Sequence, residues 1–182
     1  MAERKVRLAR APSRLLVIDA SVLRAAGTSE HPNSSACRCV LIDILEICHR
    51  ACDTPAIGEE WKRHQSAFAR RWRSRMYARG KIMPPAPVDG SAIRATVRSR
   101  GALTPEQIAS IEKDLHLVEA ALGADRIVVS ADNRMRALLR ELRIGALRGM
   151  IWANPVTERD SLQGFLSGAV APPSEWSLLA SS

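Results

Sequence analysis

The sequence predicts an α/β fold: a three-layer α/β/α sandwich around a central, mostly parallel sheet. Three observations point there. The runs "LLVI" and "RIVV" are apolar without alternation, the mark of strands covered on both faces. Long stretches between them carry apolar residues at helical spacing. Strand-like and helix-like stretches alternate along the chain, which favours parallel pairing. With 182 residues, 46% apolar and 25% charged, the chain can bury one sizeable core. Aromatics are only 4%, so that core is mostly Ala, Leu, Ile and Val.

The elements follow in order. Residues 1–13 read as a basic flexible tail and 14–20 as the first strand. Residues 21–27 start a short helix ended by Gly27, and "TSEHPNSS" is a loop. Over 35–50, Val40, Ile44, Leu45, Ile47 and Cys48 give a helix an apolar face, with Ser34 or Ser35 as its cap. "ACDTPAI" supplies a short second strand. Thr54 then caps a helix that has Pro55 in its first position and continues over 57–79. "MPPAPVDG" at 83–90 is a proline-rich connector. Thr104, Pro105 and Gln107 combine a cap, an N1 proline and a capping-box partner, so a helix runs from there to Leu122 and stops at Gly123. Residues 125–132 form a second apolar strand and 133–142 a helix. "ALRGMIWANP" holds a third strand, and "TERDSLQGFL" a last helix with Thr157 and Asp160 as capping box. A single domain over 14–170 results, with an Arg-rich helical and Pro-rich insertion at 61–103 and a tail at 171–182.

Charge is unevenly placed. Between 61 and 81 stand Lys62, Arg63, Arg70, Arg71, Arg73, Arg75, Arg79 and Lys81 with no acid, a surplus equal to the formal net charge of +8. Such a stripe suits a polyanion such as nucleic acid, and also a solvated helix face or an acidic protein. Trp61, Phe68 and Trp72 recur at helical spacing within it and are expected to be its buried side rather than a base-stacking platform. Cys37, Cys39, Cys48 and Cys52 lack zinc-knuckle spacing even with His49 among them, and read as small reduced hydrophobes on a helix. No apolar run approaches the ~18–20 residues of a membrane span, and "LLVI" is too short for a signal-peptide core. A cytoplasmic protein without a membrane partner is expected.

Four acids carry the chemistry. Asp19 ends the first apolar strand and Asp132 follows the second. In parallel sheets sites form at the carboxyl ends of strands, so both face one edge; each residue type also serves as a helix cap. Asp114 sits at the border of the apolar face made by Leu115, Val118 and Leu122, while Glu119 is expected in solvent. Glu59 and Glu60 are adjacent, so only one can face inward. Two carboxylates about 4–5 Å apart repel by roughly 3–4 kcal/mol at an effective dielectric of 20. Three or four of them raise one another's pKa or demand a hard cation, Mg²⁺ or Mn²⁺.

"LLVIDASVL", "DTPAIGEEW" and "KDLHLVEAALGADRIVVSADNRMRALL", in this order and over 14–153, resemble the motifs of the PIN-domain family. The resemblance implies a metal-dependent ribonuclease, and for many small members a toxin of a toxin–antitoxin pair. It implies Asp19, Glu60, Asp114 and Asp132 as catalytic, metal-binding acids. Ser21, Ser130 and Asn133 would be polar neighbours orienting water or carboxylates. An antitoxin partner and a homodimer are expectations of the same kind, with RNA as substrate. The chain departs from the smallest toxins in its length, mostly through 61–103. The alternative is a non-catalytic PIN-like module that binds RNA or a partner through 61–81. Phosphotransfer folds fit poorly: Ser21 stands where a phosphatase of the haloacid-dehalogenase type needs a second Asp, and no Lys follows Lys113. His116 is expected to pack rather than to act.

Overall fold

The two fully apolar runs become the centre of the sheet. In a computed structural model describing residues 12–179, β1 (Leu15–Ile18) pairs in parallel with β2 (Arg50–Cys52) on one side and with β4 (Ile127–Val129) on the other. β3 (Ile82–Met83) and β5 (Ile151–Ala153) form the edges, giving the order β3-β2-β1-β4-β5 with every pairing parallel. Leu16, Val17, Ile18, Val128 and Val129 are fully buried because helices cover both faces.

The helices are α1 (Ala20–Ala25), α2 (Pro32–Glu46), α3 (Pro55–His64), α4 (Ala67–Ala78), α5 (Ser91–Arg98), α6 (Pro105–Leu122), α7 (Asn133–Leu142) and α8 (Arg159–Leu166). α2 packs against α4 and α8, and α6 against α5 and α7, so two helical layers sandwich the sheet. The expected three-layer α/β/α class is what forms. All four tryptophans are buried. Trp61 meets Trp72 edge-on at 6.2 Å, a geometry that adds about 0.5–1.5 kcal/mol beyond area burial. Trp61 Nε1–H also donates to Ile18 O at 2.8 Å, tying α3 to the last residue of β1.

Several local expectations are corrected. α2 starts at Pro32, with His31 accepting the Asn33 N–H, and neither Ser34 nor Ser35 caps it. The helix expected over 57–79 is two helices. Gln65 ends the first, and the Ser66 side chain accepts the Ala69 N–H to start the second. The segment 61–103 contributes the edge strand β3, the helix α4 packed on α2, and α5, a helix the sequence does not predict. The Thr157–Asp160 capping box does not form. Glu158 stands at the N-cap of α8 without a side-chain cap, its carboxylate accepting Asn154 N–H and Arg136 instead.

Of the cysteines, Cys37 and Cys39 lie on α2 while Cys52 is on β2 and Cys48 precedes it; none of the four is in a disulfide. Burial pushes Cys37 up to about 11 and Cys52 up to about 12, which makes both thiols inert. His49 is buried, accepting Arg14 N–H and donating to Leu166 O, so it is spent on packing. Residues 1–11 of the expected N-terminal tail and 180–182 of the C-terminal one lie outside the described residues. The described part of 171–182 packs onto the domain: Trp176 is buried edge-on against Phe165 at 5.8 Å, and Leu178 N–H donates to Met150 O.

Among the described residues no helix is long and apolar enough to cross a membrane.

Candidate active site

Parallel strands end together, so the residues after β1 and β4 meet at one edge. Asp19 N–H donates to Val129 O at 3.0 Å, which brings the two strand ends into register. Two serines then fix the Asp19 carboxylate. Ser21 Oγ and Ser130 Oγ each donate to its Oδ2 at 2.6 Å, and Ser21 N–H donates to Oδ1 at 3.2 Å. Ser21 Oγ accepts Ala131 N–H, and Ser130 Oγ accepts Asp132 N–H, both at 3.1 Å. These hydroxyls cross-link the strand ends while holding one carboxylate in a single orientation, the arrangement that supports a charged ligand group.

Asp132 caps α7, its Oδ1 accepting Met135 N–H at 2.9 Å. Asp19 caps α1. Both therefore serve as helix caps and line the pocket at once. Asp132 Oδ1 is the oxygen that takes the cap bond, and each carboxylate has a second. Asn133 is exposed at the first position of α7, next to Asp132, and is not among the residues lining the pocket.

The choice between Glu59 and Glu60 follows from packing. Ile57 and Trp61 turn into the core one helical turn apart. Their side of α3 carries Glu60 toward the pocket, while Glu59 is exposed and paired with Lys62 at 2.8 Å. On α6, Ile111, Leu115 and Val118 are buried, and Asp114 comes off the edge of that face into the same pocket.

Asp19, Glu60, Asp114 and Asp132 thus line one depression of about 510 Å³ at the carboxyl edge of the sheet. Burial pushes the Asp114 carboxyl up to about 6, and the Asp19 and Glu60 carboxylates add to the rise. Lys113 and His116 offset part of it. Arg24, Arg63, His64 and Lys113 stand around the acids as a cationic rim. Of the eight cations between 61 and 81, only Arg63 belongs to this lining. Lys81 and Arg79 instead donate to carbonyls at the C-terminus of α2, Lys81 to Leu45 O at 2.7 Å and Arg79 to Leu45 O at 3.0 Å.

Two expectations about α6 are corrected. His116 does not point away: Nδ1 is 2.9 Å from Lys113 O, and Nε2 lies 3.3 Å from Glu60 Oε2. That second contact lacks hydrogen-bond geometry, so it is a close approach rather than a bond. Glu119 is not in solvent but pairs with Arg94 at 2.7 Å. Sequence reasoning also missed Asn154, buried at the end of β5. Its Nδ2 donates to Ala131 O and its Oδ1 accepts Val156 N–H, bracing the turn before Asp132. The signal was present: a polar residue closing an apolar strand, as at Asp19.

The donor set is all oxygen, which suits a hard divalent cation rather than zinc. Among the described residues no three His, Cys, Asp or Glu side chains already stand in an arrangement that would grip an ion. Binding one would require the four carboxylates to draw in, against their mutual repulsion, which adds to the burial that raises Asp114. Compared with known proteins, the chain matches no family model and no curated protein.

Proposed function

We propose that the protein is a Mg²⁺- or Mn²⁺-dependent endoribonuclease that hydrolyses RNA phosphodiester bonds. One observation carries the reading. Four acids from positions 19, 60, 114 and 132, far apart in sequence, line one pocket at the carboxyl edge of a parallel sheet with cations around them. Bound there, a divalent ion would neutralise phosphate charge and lower the pKa of a water.

The chain's own residues do the rest. Asp19, fixed by Ser21 and Ser130, offers a carboxylate that needs no reorientation when a cation arrives. Asp132 is held by its cap bond, and Asp114 and Glu60 complete the set from two other helices. Without a metal, burial holds the Asp114 carboxyl up at about 6, and a bound cation would favour its charged form, so metal binding there would release a proton below that pH. Arg24, Arg63 and Lys113 are placed to attract the flanking phosphates that the acids would repel. On this reading the protein works in the cytoplasm on RNA, and its likeness to PIN-domain toxins implies an antitoxin partner and a homodimer.

The deciding experiment is cleavage of labelled RNA with Mg²⁺ or Mn²⁺ against EDTA, for the wild type and for Asp19→Asn. Cleavage that needs the metal and is lost in the variant supports the nuclease. Binding without cleavage under every divalent ion rejects it. That result favours the second reading, an RNA- or partner-binding module. The observation on its side is that seven of the eight cations between 61 and 81 lie outside the pocket lining.

A further inference from the structure

The carboxyl edge of the sheet carries a second depression beside the acidic one. It lies over the ends of β2 and β3 and has a volume of about 460 Å³. His116 lines it and, on its other side, meets Glu60 of the acidic pocket, so one imidazole separates the two spaces. Pro84, Pro85 and Pro87 form a wall, with Val88 and Ala120 adding apolar surface.

The proline wall and the charged side chains of this groove both offer acceptors. Proline has no N–H, and the N–H of Ala86, between them, is spent on Gly123 O at 2.8 Å. From 84 to 87 the connector therefore has carbonyls to offer and no spare donor. The side chains add two carboxylates. Asp53 takes the Tyr77 hydroxyl on Oδ2, and Glu119 takes Arg94 on Oε1, so each has a further oxygen beyond these bonds. The donors in the lining are the Thr54 hydroxyl, the Ala56 N–H and the His116 imidazole, on the α3 and α6 sides, while the two carboxylates set the charge of the groove. Flat apolar walls with anionic acceptors suit a planar ring that carries its own N–H groups.

We propose that this groove is a nucleobase subsite for the nucleotide next to the scissile phosphate, selecting bases with an exocyclic amine (adenine, cytosine, guanine) over uracil. The inference rests on the nuclease reading, because continuity with the acidic pocket is what places a nucleotide there. The base would lie against the prolines and His116 with its amino group toward Asp53 or Glu119. The Asp or Glu acceptor for an amino donor is a common side-chain–base pairing. Uracil has one donor on that edge, N3–H, flanked by two carbonyl oxygens, so a carboxylate that takes the N–H also faces like acceptors and gains less than from an amine. The anionic backbone stays outside, under the Arg63 and Lys113 rim.

The test uses the full chain, with AMP, CMP, GMP and UMP as probes and no cleavage required. Binding is followed by titration and by the methyl NMR signals of Val88 and Ala120. Amino-bearing nucleotides are expected to bind about tenfold more tightly than UMP, within the range one side-chain–base pair discriminates, and to move both methyl signals. Asp53→Asn keeps the size and can still accept from Tyr77 while supplying an N–H₂ donor. It is expected to shift the preference toward UMP, which a purely structural role for Asp53 would not do. Equal affinity for all four nucleotides, methyl signals that stay still, or a groove that takes a lysine-rich peptide but no nucleotide would each overturn the proposal. Absence of RNA cleavage with Mn²⁺ alongside base-selective binding would remove the nuclease reading and leave the subsite standing.

Discussion

The acidic pocket, with four carboxylates, and the basic arm of α3 and α4, with twice as many cations around it, use their charge in opposite ways. Along the arm, Arg70, Arg71 and Arg75 are exposed, and Lys62 and Arg79 pair with Glu59 and Glu46 in half-open contacts. Pairs of that kind contribute about 0–1 kcal/mol. In the pocket, four acids share a partly buried space, and Asp114 shows the strain in its pKa. Eight cations crowded into 21 residues dominate the sequence, yet they are energetically mild. Four acids scattered over more than a hundred residues are inconspicuous until the sheet gathers them. Position relative to solvent, rather than number of charges, decides where work can be stored.

The largest expected effect is at Asp19. Asp19→Asn removes the charge but retains groups that can meet Ser21 and Ser130. RNA cleavage with Mn²⁺ should fall on the order of 10³-fold, several kcal/mol of lost electrostatic stabilisation, while the circular dichroism spectrum is unchanged. Near-normal turnover would break the contrast by showing that the acidic side is idle.

Next comes a gain. Asp114 titrates near 3.8 without the fold and at about 6 within it, so the folded chain binds the extra proton in that window. Stability from this group is therefore highest below about pH 4 and is lost as pH rises through 6. Asp114→Asn should stabilise the protein by about 1–2 kcal/mol at pH 7, less than the whole rise would give because solvent screens a half-open group, and by almost nothing at pH 4. Urea unfolding at both values measures it. Added Mn²⁺ should raise the melting temperature of the wild type more than that of the variant, since the variant lacks one of the carboxylates that would hold the ion.

A smaller loss is expected for Ser130→Ala, which deletes one of two hydroxyls on Asp19 Oδ2 and leaves the Asp132 N–H without its acceptor. Metal affinity or kcat/KM should drop about 10–100-fold. Isothermal titration with Mn²⁺ separates the two. Smallest of all, replacing Arg70, Arg71 and Arg75 together by Ala should move folding stability within about 0.5 kcal/mol per site. The salt dependence of RNA binding should weaken by about 0.7 in log–log slope for each phosphate that the arm no longer neutralises. An unchanged slope would show that the arm does not touch RNA.

Much of this architecture was legible. Thr104, Pro105 and Gln107 form the capping box that the sequence spells out, and α7 occupies 133–142 as read. Asp19 and Asp132 could be placed on one edge because strand–helix alternation implies parallel strands, and Asp114 at the border of a buried helix face because apolar periodicity marks that face. Other parts were hidden for physical reasons. The spacing of Trp61, Phe68 and Trp72 runs unbroken through Gln65 and Ser66, so the helix break left no gap in the pattern. β3 has two residues, too few for any period to show, and its partner is a strand far enough away to need α3 and α4 between. The His116 contact with Glu60 joins α6 to α3, a tertiary approach that one helix wheel cannot report. Asn154 was overlooked because its role is to brace a neighbouring turn, not to carry charge.

Gly123 closes α6 at an ordinary φ of −82°. What excludes a side chain there is the connector: a Cβ at this position would come within 2.0 Å of Ala86 O. The chain therefore crosses itself at a point with no tolerance, and the residues beyond that crossing hang from it. Insertions between α5 and α6 could lengthen the excursion while the anchored stretch before it kept its shape. Replacing Gly123 with alanine would instead unseat the prolines and slacken the outer margin of the sheet without touching a single acid.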